Sequence, residues 1–568
     1  MTLSIRRRAA ALLVLLVASV ISVSAAAAGY ADVIIRGGTV YDGSGKPGRV
    51  ADVAIKGDRI IAIGNLRGRK ATNTIDATGL AVSPGFINML SWATESLIAD
   101  PKSQSDIRQG VTLEVMGEGD SMGPWNPAMK EEVLKHQDDI KYAIEWTTLG
   151  EYLEYLERRK VATNVASFVG ATSVRVHELG YEDRAPKPAE LERMQNLVRE
   201  AMREGALGVG SSLIYAPASY STPAEVKALA MAAAESGGGY ISHMRSEGNR
   251  LLEAIDEVVD IARATHQHAE IYHFKVAGEK NWPKVDAAIA RVEAARAAGL
   301  DVSADMYTYT AGATGLDAAQ PPWVQEGGLD AWVARLKDPA VRARVIEEMR
   351  DPNAKWENLL LAAGSPDRVL FIGFKTDRLK PLTGKTLAEV AHMRGTSPEE
   401  TVLDLVVEDS YRVDTAYFLM SEENVIRQLK LPWVSLGSDE ASLAPEGVFL
   451  LKNSHPRAYG NVARFLGHYV REEKVATLPD AIRRLTWLPA QNLRLKQRGR
   501  LAAGYYADVV VFDPDKIIDH ATYDKPHQYS TGVVDVFVNG EQVLRDGEHT
   551  GALPGRVVRG PGWSGWSK

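Results

Sequence analysis

Eight short apolar runs recur between residues 82 and 438, at 82–90, 112–117, 164–169, 206–211, 239–243, 269–274, 300–305 and 433–438. Runs of this length can cross a sheet buried on both faces. Helix-length connections between them allow each to pair parallel to a neighbour. Helical patterns fill most of the gaps, clearest from Pro223 to Ser236 and from Leu251 to Thr265. Eight strands alternating with helices predict an α/β fold, a (β/α)8 TIM-like barrel. That architecture gathers the carboxyl ends of its strands at one face, where polar residues can converge on a single site.

Four polar residues stand at or just past such ends: Glu118 in Val-Met-Gly-Glu-Gly, His243 in Ile-Ser-His-Met-Arg, His273 in Ile-Tyr-His-Phe-Lys and Asp439 in Leu-Gly-Ser-Asp-Glu. His243 and His273 lie 30 residues apart, one β/α repeat, so they fall on adjacent strands facing one site. Two neutral imidazoles and a carboxylate make a three-ligand metal site with a position left for water. A metal there lowers the pKa of that water and polarises a carbonyl, and Asp439 can carry a proton from water to a leaving amine. A second histidine pair, His266 and His268, sits between a helix and a strand and reads as a solvated loop. Arg245 and Glu247 read as partners of one another.

Both chain ends are β-rich. Residues 32–80 and 500–550 alternate short apolar runs with glycine turns, and Asn539-Gly540 is a hairpin signal. The expected organisation is a signal peptide at 1–28, the first part of a β-domain at 29–80, the barrel at 81–495 and the rest of the β-domain at 496–568. The two β parts are expected to form a small β-sandwich. From position 300 to 433 is 133 residues, more than a β/α unit needs. An insertion is therefore expected at about 320–414, before the last barrel strand. It carries Trp323, Trp332 and Trp356 amid charged helical sequence, and both a cover over the barrel mouth and a structural or oligomer-contact insertion are open.

The N-terminus fits a targeting segment. Arg6-Arg7-Arg8 precede an apolar run from Ala9 to Val23, and small residues follow from Ser24 to Gly29. Cleavage is expected between Ala25 and Ala31, giving an exported protein, periplasmic or secreted, with no stable membrane span after cleavage. The net charge of −7 and the lack of a strongly basic segment beyond the N-terminus argue against nucleic acid as a partner. With no cysteine, disulfides, thiolate ligands and cysteine nucleophiles are excluded. Any metal is then held by histidine and carboxylate, which suits zinc. Homo-oligomerisation is left open by the sequence.

The chain resembles the amidohydrolase superfamily, in its D-aminoacylase (N-acyl-D-amino-acid deacylase) group. The motifs that carry the resemblance begin with Asp32-Val-Ile-Ile-Arg-Gly-Gly-Thr-Val-Tyr-Asp-Gly, Pro84-Gly-Phe-Ile and Gly110-Val-Thr. They continue with Ser242-His-Met-Arg-Ser-Glu-Gly, His273-Phe-Lys and Asp305-Met-Tyr-Thr-Tyr-Thr-Ala-Gly. They close with Met420-Ser-Glu-Glu, Gly437-Ser-Asp-Glu, His455-Pro-Arg-Ala-Tyr-Gly and Ala503-Gly-Tyr-Tyr-Ala-Asp-Val-Val-Val-Phe. In this order they span nearly everything after the signal segment.

The resemblance implies residue-specific roles. His243 and His273 match the group's metal-binding histidines, and Asp439 its catalytic aspartate. Glu118 lies where D-aminoacylases place a metal-binding cysteine, with Glu114 or Asp120 as alternatives. Some relatives, such as N-acetylglucosamine-6-phosphate deacetylases, use a glutamate there. Lys275, Tyr307 and Tyr309 match positions used for substrate, and Tyr215 and Arg457 are further candidates. The departure is at strand one, where the group's His-x-His falls on Leu90 and Trp92. These two are expected to fill the vacated volume with apolar surface, leaving one zinc per chain. The substrate implied is a small N-acylated amino acid or related amide. Another hydrolase on the same scaffold, acting on a cyclic amide, a lactone or a dipeptide, is the alternative. So is a binding protein that has lost metal and catalysis.

Overall fold

The computed structural model describes residues 30–565; the targeting segment read at 1–28 lies outside the described residues. Eight parallel strands supply the frame of the site. In chain order they are Phe86–Asn88, Val111–Met116, Asn164–Ser167 continuing as Val169–Gly170, Gly208–Ser212, Gly239–His243, Ala269–Ile271, Val302–Met306 and Val434–Leu436. Each pairs in parallel with the next. The eighth also meets the first, because Met89 N–H donates to the Leu436 carbonyl at 3.0 Å and Asp439 N–H to the Leu90 carbonyl at 2.8 Å.

Helices return the chain between strands. The helix Leu251–Thr265 shows why: Leu251, Ala254, Ile255, Val258, Val259, Ile261, Ala262 and Thr265 form its buried stripe at helical spacing. His266 ends it in the left-handed region at φ 53°, exposed to solvent. His268, two residues on, corrects the solvated-loop expectation. It is buried, with Nε2 2.9 Å from Glu270 and 3.1 Å from Ser303, and Nδ1 3.1 Å from Asp301. Carboxylates thus stand on two sides of the ring, one close to each nitrogen.

The chain ends meet in one continuous nine-stranded sheet. Ala81–Pro84 pairs antiparallel with Val509–Phe512, setting Val82 opposite Val511. The 11-residue strand Tyr30–Val40 spans the sheet's two halves, pairing first with Lys70–Asp76 and then with Ala81 and Val82. The Asn539-Gly540 turn joins Val533–Val538 to Glu541–Arg545, both turn residues at positive φ (48° and 82°) as a two-residue hairpin requires.

Between the seventh and eighth strands, Ala311–Gly315, Val369–Gly373 and Asp414–Phe418 form a separate antiparallel sheet. Helices pack on it around Leu316, Trp332, Val345, Phe371, Leu403 and Tyr417. Lysines pin this segment to the loop after the second strand. Lys375 donates to the His136 carbonyl at 3.2 Å and Lys380 to Asp139 at 2.9 Å, while Lys452 bridges Asp138 and Asp414.

Burial works against the charged form of His268, but Asp301 and Glu270 outweigh it and raise its pKa to about 9. A histidine raised by folding stabilises fully below its unfolded pKa, and that contribution is lost as pH rises through about 9. Thermal melts from about pH 6.5 to about pH 9.5 should show a loss on the order of 2 kcal/mol that His268→Gln abolishes. Parallel melting curves for the two proteins would refute this.

Candidate metal centre

Glu118, His243 and His273 reach a common point from the loop after the second strand, the end of the fifth strand and the residues just past the sixth. Glu118 Oε1 lies 3.0 Å from His243 Nδ1 and 2.8 Å from His273 Nε2, and the two ring nitrogens are 3.0 Å apart. None of the three residues is more than 4% exposed. A tetrahedral ion held at about 2.0–2.1 Å wants ligand atoms about 3.3–3.4 Å apart, close to these edges. The donor set of two imidazoles and a carboxylate, gathered out of reach of bulk water, therefore fits a divalent ion.

The supporting contacts fall chiefly on His273. Glu247 Oε1 stands 3.0 Å from His273 Nδ1 and accepts from Lys275 Nζ at 2.6 Å. Lys275 Nζ is also 2.6 Å from His273 Nδ1, so Lys275 and Glu247 together fix the outer edge of the ring and turn Nε2 toward the centre. Glu247 Oε2 is 3.8 Å from His243 Nε2, beyond hydrogen-bond reach, so Glu247 backs the His273 ring and leaves the outer nitrogen of His243 without a partner. This corrects the expected Arg245–Glu247 pair: Arg245 instead binds Glu257 at 2.9 Å. No local pattern in the chain signals the role of Glu247, because it is the packing of the fifth-strand loop against the sixth that brings it to His273.

Electrostatics follow from enclosure. Burial pushes the Glu118 carboxyl upward, but His273 and His243 overcome it and hold it far below the usual range. Burial and Lys275 push His273 down, yet Glu247 and Glu118 prevail and lift it to about 10. His273 has φ 35° and Asp439 φ 53°, backbone conformations uncommon for such side chains. Asp305 holds the first by accepting the His273 N–H at 2.9 Å.

Asp439 lies beside the centre. Its Oδ2 pairs with Arg457 Nη1 at 2.8 Å, and its Oδ1 accepts from the Trp92 indole at 3.3 Å. Burial raises its pKa against the pull of Arg457, which suits a proton carrier. Trp92 also donates to Glu118 Oε2 at 2.9 Å. Trp92 is thus a polar participant, which corrects the expectation of apolar filling there. Leu90 meets that expectation: it is fully buried in an apolar cluster with Ile87, Leu113, Val115 and Tyr272.

The centre opens into a cavity of about 730 Å³ whose outer wall includes Leu329, Trp332, Ile372 and Arg412 of the inserted segment. Lys275, Tyr307, Tyr215 and Arg457 all line it. The Tyr307 hydroxyl is buried without a hydrogen-bond partner, and Arg457 stacks 4.4 Å from the centre of its ring. Tyr215 sets its ring edge against His243 at 5.2 Å. Tyr309 departs from expectation. It is buried away from the cavity, with its hydroxyl 3.3 Å from Asp519 and 3.4 Å from the Pro456 carbonyl. Tyr307 and Tyr309 follow a strand whose continuation turns away at Thr308, which is held by Asn461, and this separates the two rings.

Of the alternatives to Glu118, Glu114 is withdrawn to Asn88 and Ser103 at 3.2 and 3.0 Å, and Asp120 lines the cavity without joining the ligand triangle. Burial, opposed by Arg412, lifts Asp120 to about 6. The support from Glu247 should be measurable: Glu247→Gln is expected to weaken zinc binding by about 10- to 100-fold in chelator competition. Unchanged affinity would show that the contact does not orient the ring.

A profile described as the amidohydrolase family matches residues 73–544. The D-aminoacylase of Alcaligenes xylosoxydans xylosoxydans is 32% identical over 531 residues, covering 93% of this chain and 97% of that protein. An N-acyl-D-glutamate deacylase from Bordetella bronchiseptica, solved with zinc and a phosphonate mimic of the tetrahedral intermediate, superposes with a TM-score of 0.76. It is 29% identical and covers 93% of this chain and 100% of its own. A D-aminoacylase structure concerned with one-metal activation and second-metal attenuation of a binuclear centre gives a TM-score of 0.77. It is 32% identical, covering 93% of this chain and 99% of its own. Matches over nearly the whole chain, together with the histidine–carboxylate centre, place this protein in the amidohydrolase family, among the D-aminoacylase-like hydrolases of carbon–nitrogen bonds other than peptide bonds.

Proposed function

We propose that the protein is an N-acyl-D-amino-acid deacylase working with a single zinc ion, held by Glu118, His243 and His273 at the mouth of a closed (β/α)8 barrel. The observation that carries this reading is the buried ligand triangle with edges of 2.8 to 3.0 Å, beside a carboxylate raised by burial. When bound, such an ion supplies Lewis acidity, making water more acidic and polarising a carbonyl oxygen. The choice of zinc follows from a histidine–carboxylate donor set in a chain without cysteine, and from the zinc in the Bordetella relative.

The chain's own groups divide the remaining work. Asp439 takes a proton from the attacking water and delivers it to the amide nitrogen as the carbon–nitrogen bond breaks, releasing a carboxylate and a D-amino acid. The unpaired Tyr307 hydroxyl offers a donor to the substrate carboxylate, on a wall whose positive charge comes from Arg457 and Lys275, themselves paired with Asp439 and Glu247. Tyr215 closes the side next to His243. The inserted segment adds Leu329, Trp332, Ile372 and Arg412 to the cavity wall that a substrate would meet. The N-terminal pattern extends the proposal to an exported enzyme.

Asp439→Asn is expected to keep its zinc and lose turnover by about 100- to 10,000-fold. Full activity in that variant would remove Asp439 from the role of base. His243→Ala should lose the ion, and elemental analysis showing an undiminished zinc content would mean that the ligands lie elsewhere. A panel of N-acetyl-D- and L-amino acids completes the test, with hydrolysis expected only in the D series. Absence of turnover across that panel would reject the substrate class.

A further inference from the structure

We propose that Trp92 stands in the place of a second metal ion. In this view its indole N–H bridges the ligand Glu118 and the base Asp439 and holds the centre as a one-ion site. The inference rests on the single-zinc reading above. It begins from two hydrogen bonds made by one donor: the indole nitrogen is 2.9 Å from Glu118 Oε2 and 3.3 Å from Asp439 Oδ1. An indole N–H donates and cannot accept, so it fits only between acceptors. Two carboxylates facing one another are such a pair.

Each carboxylate is held by this donor. Glu118 Oε2 accepts from the indole, which restrains the carboxylate and leaves Oε1, beside the two histidine nitrogens, as the oxygen turned to the ion. Asp439 gives Oδ1 to the indole and Oδ2 to Arg457 at 2.8 Å. A cation between the two carboxylates would bring both a bridge and positive charge. Here the two duties are split: the indole bridges, and the Arg457 guanidinium, in a residue only 1% exposed, supplies the charge.

The backbone fixes this arrangement. Trp92 N–H donates to the Glu440 carbonyl at 2.9 Å, and Ser91 bridges to Glu440, so the Trp92 side chain leaves the chain directly beside Asp439. Two residues earlier, Leu90 offers no ligand atom and is fully buried. Asp439 does not join the group of ligand atoms formed by Glu118, His243 and His273. Trp92 contributes a rigid ring to the cavity wall, so its position costs little side-chain freedom. It is a positioning residue: it acts on the reaction through Glu118 and Asp439.

The test uses Trp92→Phe, which keeps an aromatic ring and removes the N–H, with zinc as the probe. The expected variant retains one zinc per chain with a dissociation constant raised about tenfold. Its kcat on an N-acetyl-D-amino acid falls about ten- to hundredfold while KM changes less than about twofold, because the lost donor touches no substrate group. Wild-type zinc affinity together with wild-type kcat would overturn the proposal. A second variant, Leu90→His with Trp92→His, should take up two zinc ions per chain. If it holds only one, the indole does not occupy a second ion's place. Two zinc ions in the unmodified protein would instead defeat the single-zinc reading, so the two failures are told apart by which protein carries the extra ion.

Discussion

Everything at the active face depends on the enclosure of one carboxylate between two imidazoles. Glu118, His243 and His273 are withdrawn from water almost completely, and each is held by more than one neighbour. Buried polar groups without partners are costly, so the surrounding structure is organised to provide them. Glu247 backs His273, Lys275 neutralises Glu247, and Trp92 takes the free oxygen of Glu118. Asp305 secures the strained backbone of His273. Within so connected a network a change at one member reaches the others, which is why the indole at position 92 bears on a centre it does not itself ligate.

Parallel strands make that enclosure achievable. Each contributes a residue at the same end, so groups from positions 118, 243, 273 and 439 can converge without a long loop having to be ordered for each. Ala81–Pro84 of the terminal sheet, held by the ladder of Val82 and Val511, leads directly into the first strand of the frame. The inserted segment has a core of its own and is tied to the loop after the second strand by Lys375, Lys380 and Lys452. Burial of the centre gives a low-dielectric setting, where a carboxylate such as Asp439 is raised and charge pairs are strong.

Much of this architecture is legible in the order of residues. Strand positions follow from runs of apolar residues, because a strand buried on both faces admits little else, and the expected run 239–243 coincides with Gly239–His243. The two histidines of the centre are readable because each stands at or just past the end of such a run. Other features are not. His268 has the appearance of a loop residue, and only the approach of Glu270, Ser303 and Asp301 makes it a buried cation. Arg245 and Glu247 are two residues apart and of opposite sign, yet they face different neighbours. Tyr309 shares a motif with Tyr307, but its ring is directed toward Asp519.

The bare chain thus settles the succession of strands and helices, the β character of both ends, the run-end positions of His243 and His273 and the lack of a strand-one histidine pair. These are properties of composition and spacing, which local periodicity and a fixed chain order express directly. Which side chains touch is a matter of folding in three dimensions: Trp92 turns its N–H to two carboxylates, Arg457 meets Asp439, and Glu247 supports His273. Those contacts join residues up to 347 positions apart. Their directions depend on side-chain rotamers and strand register, which no local pattern in the chain encodes.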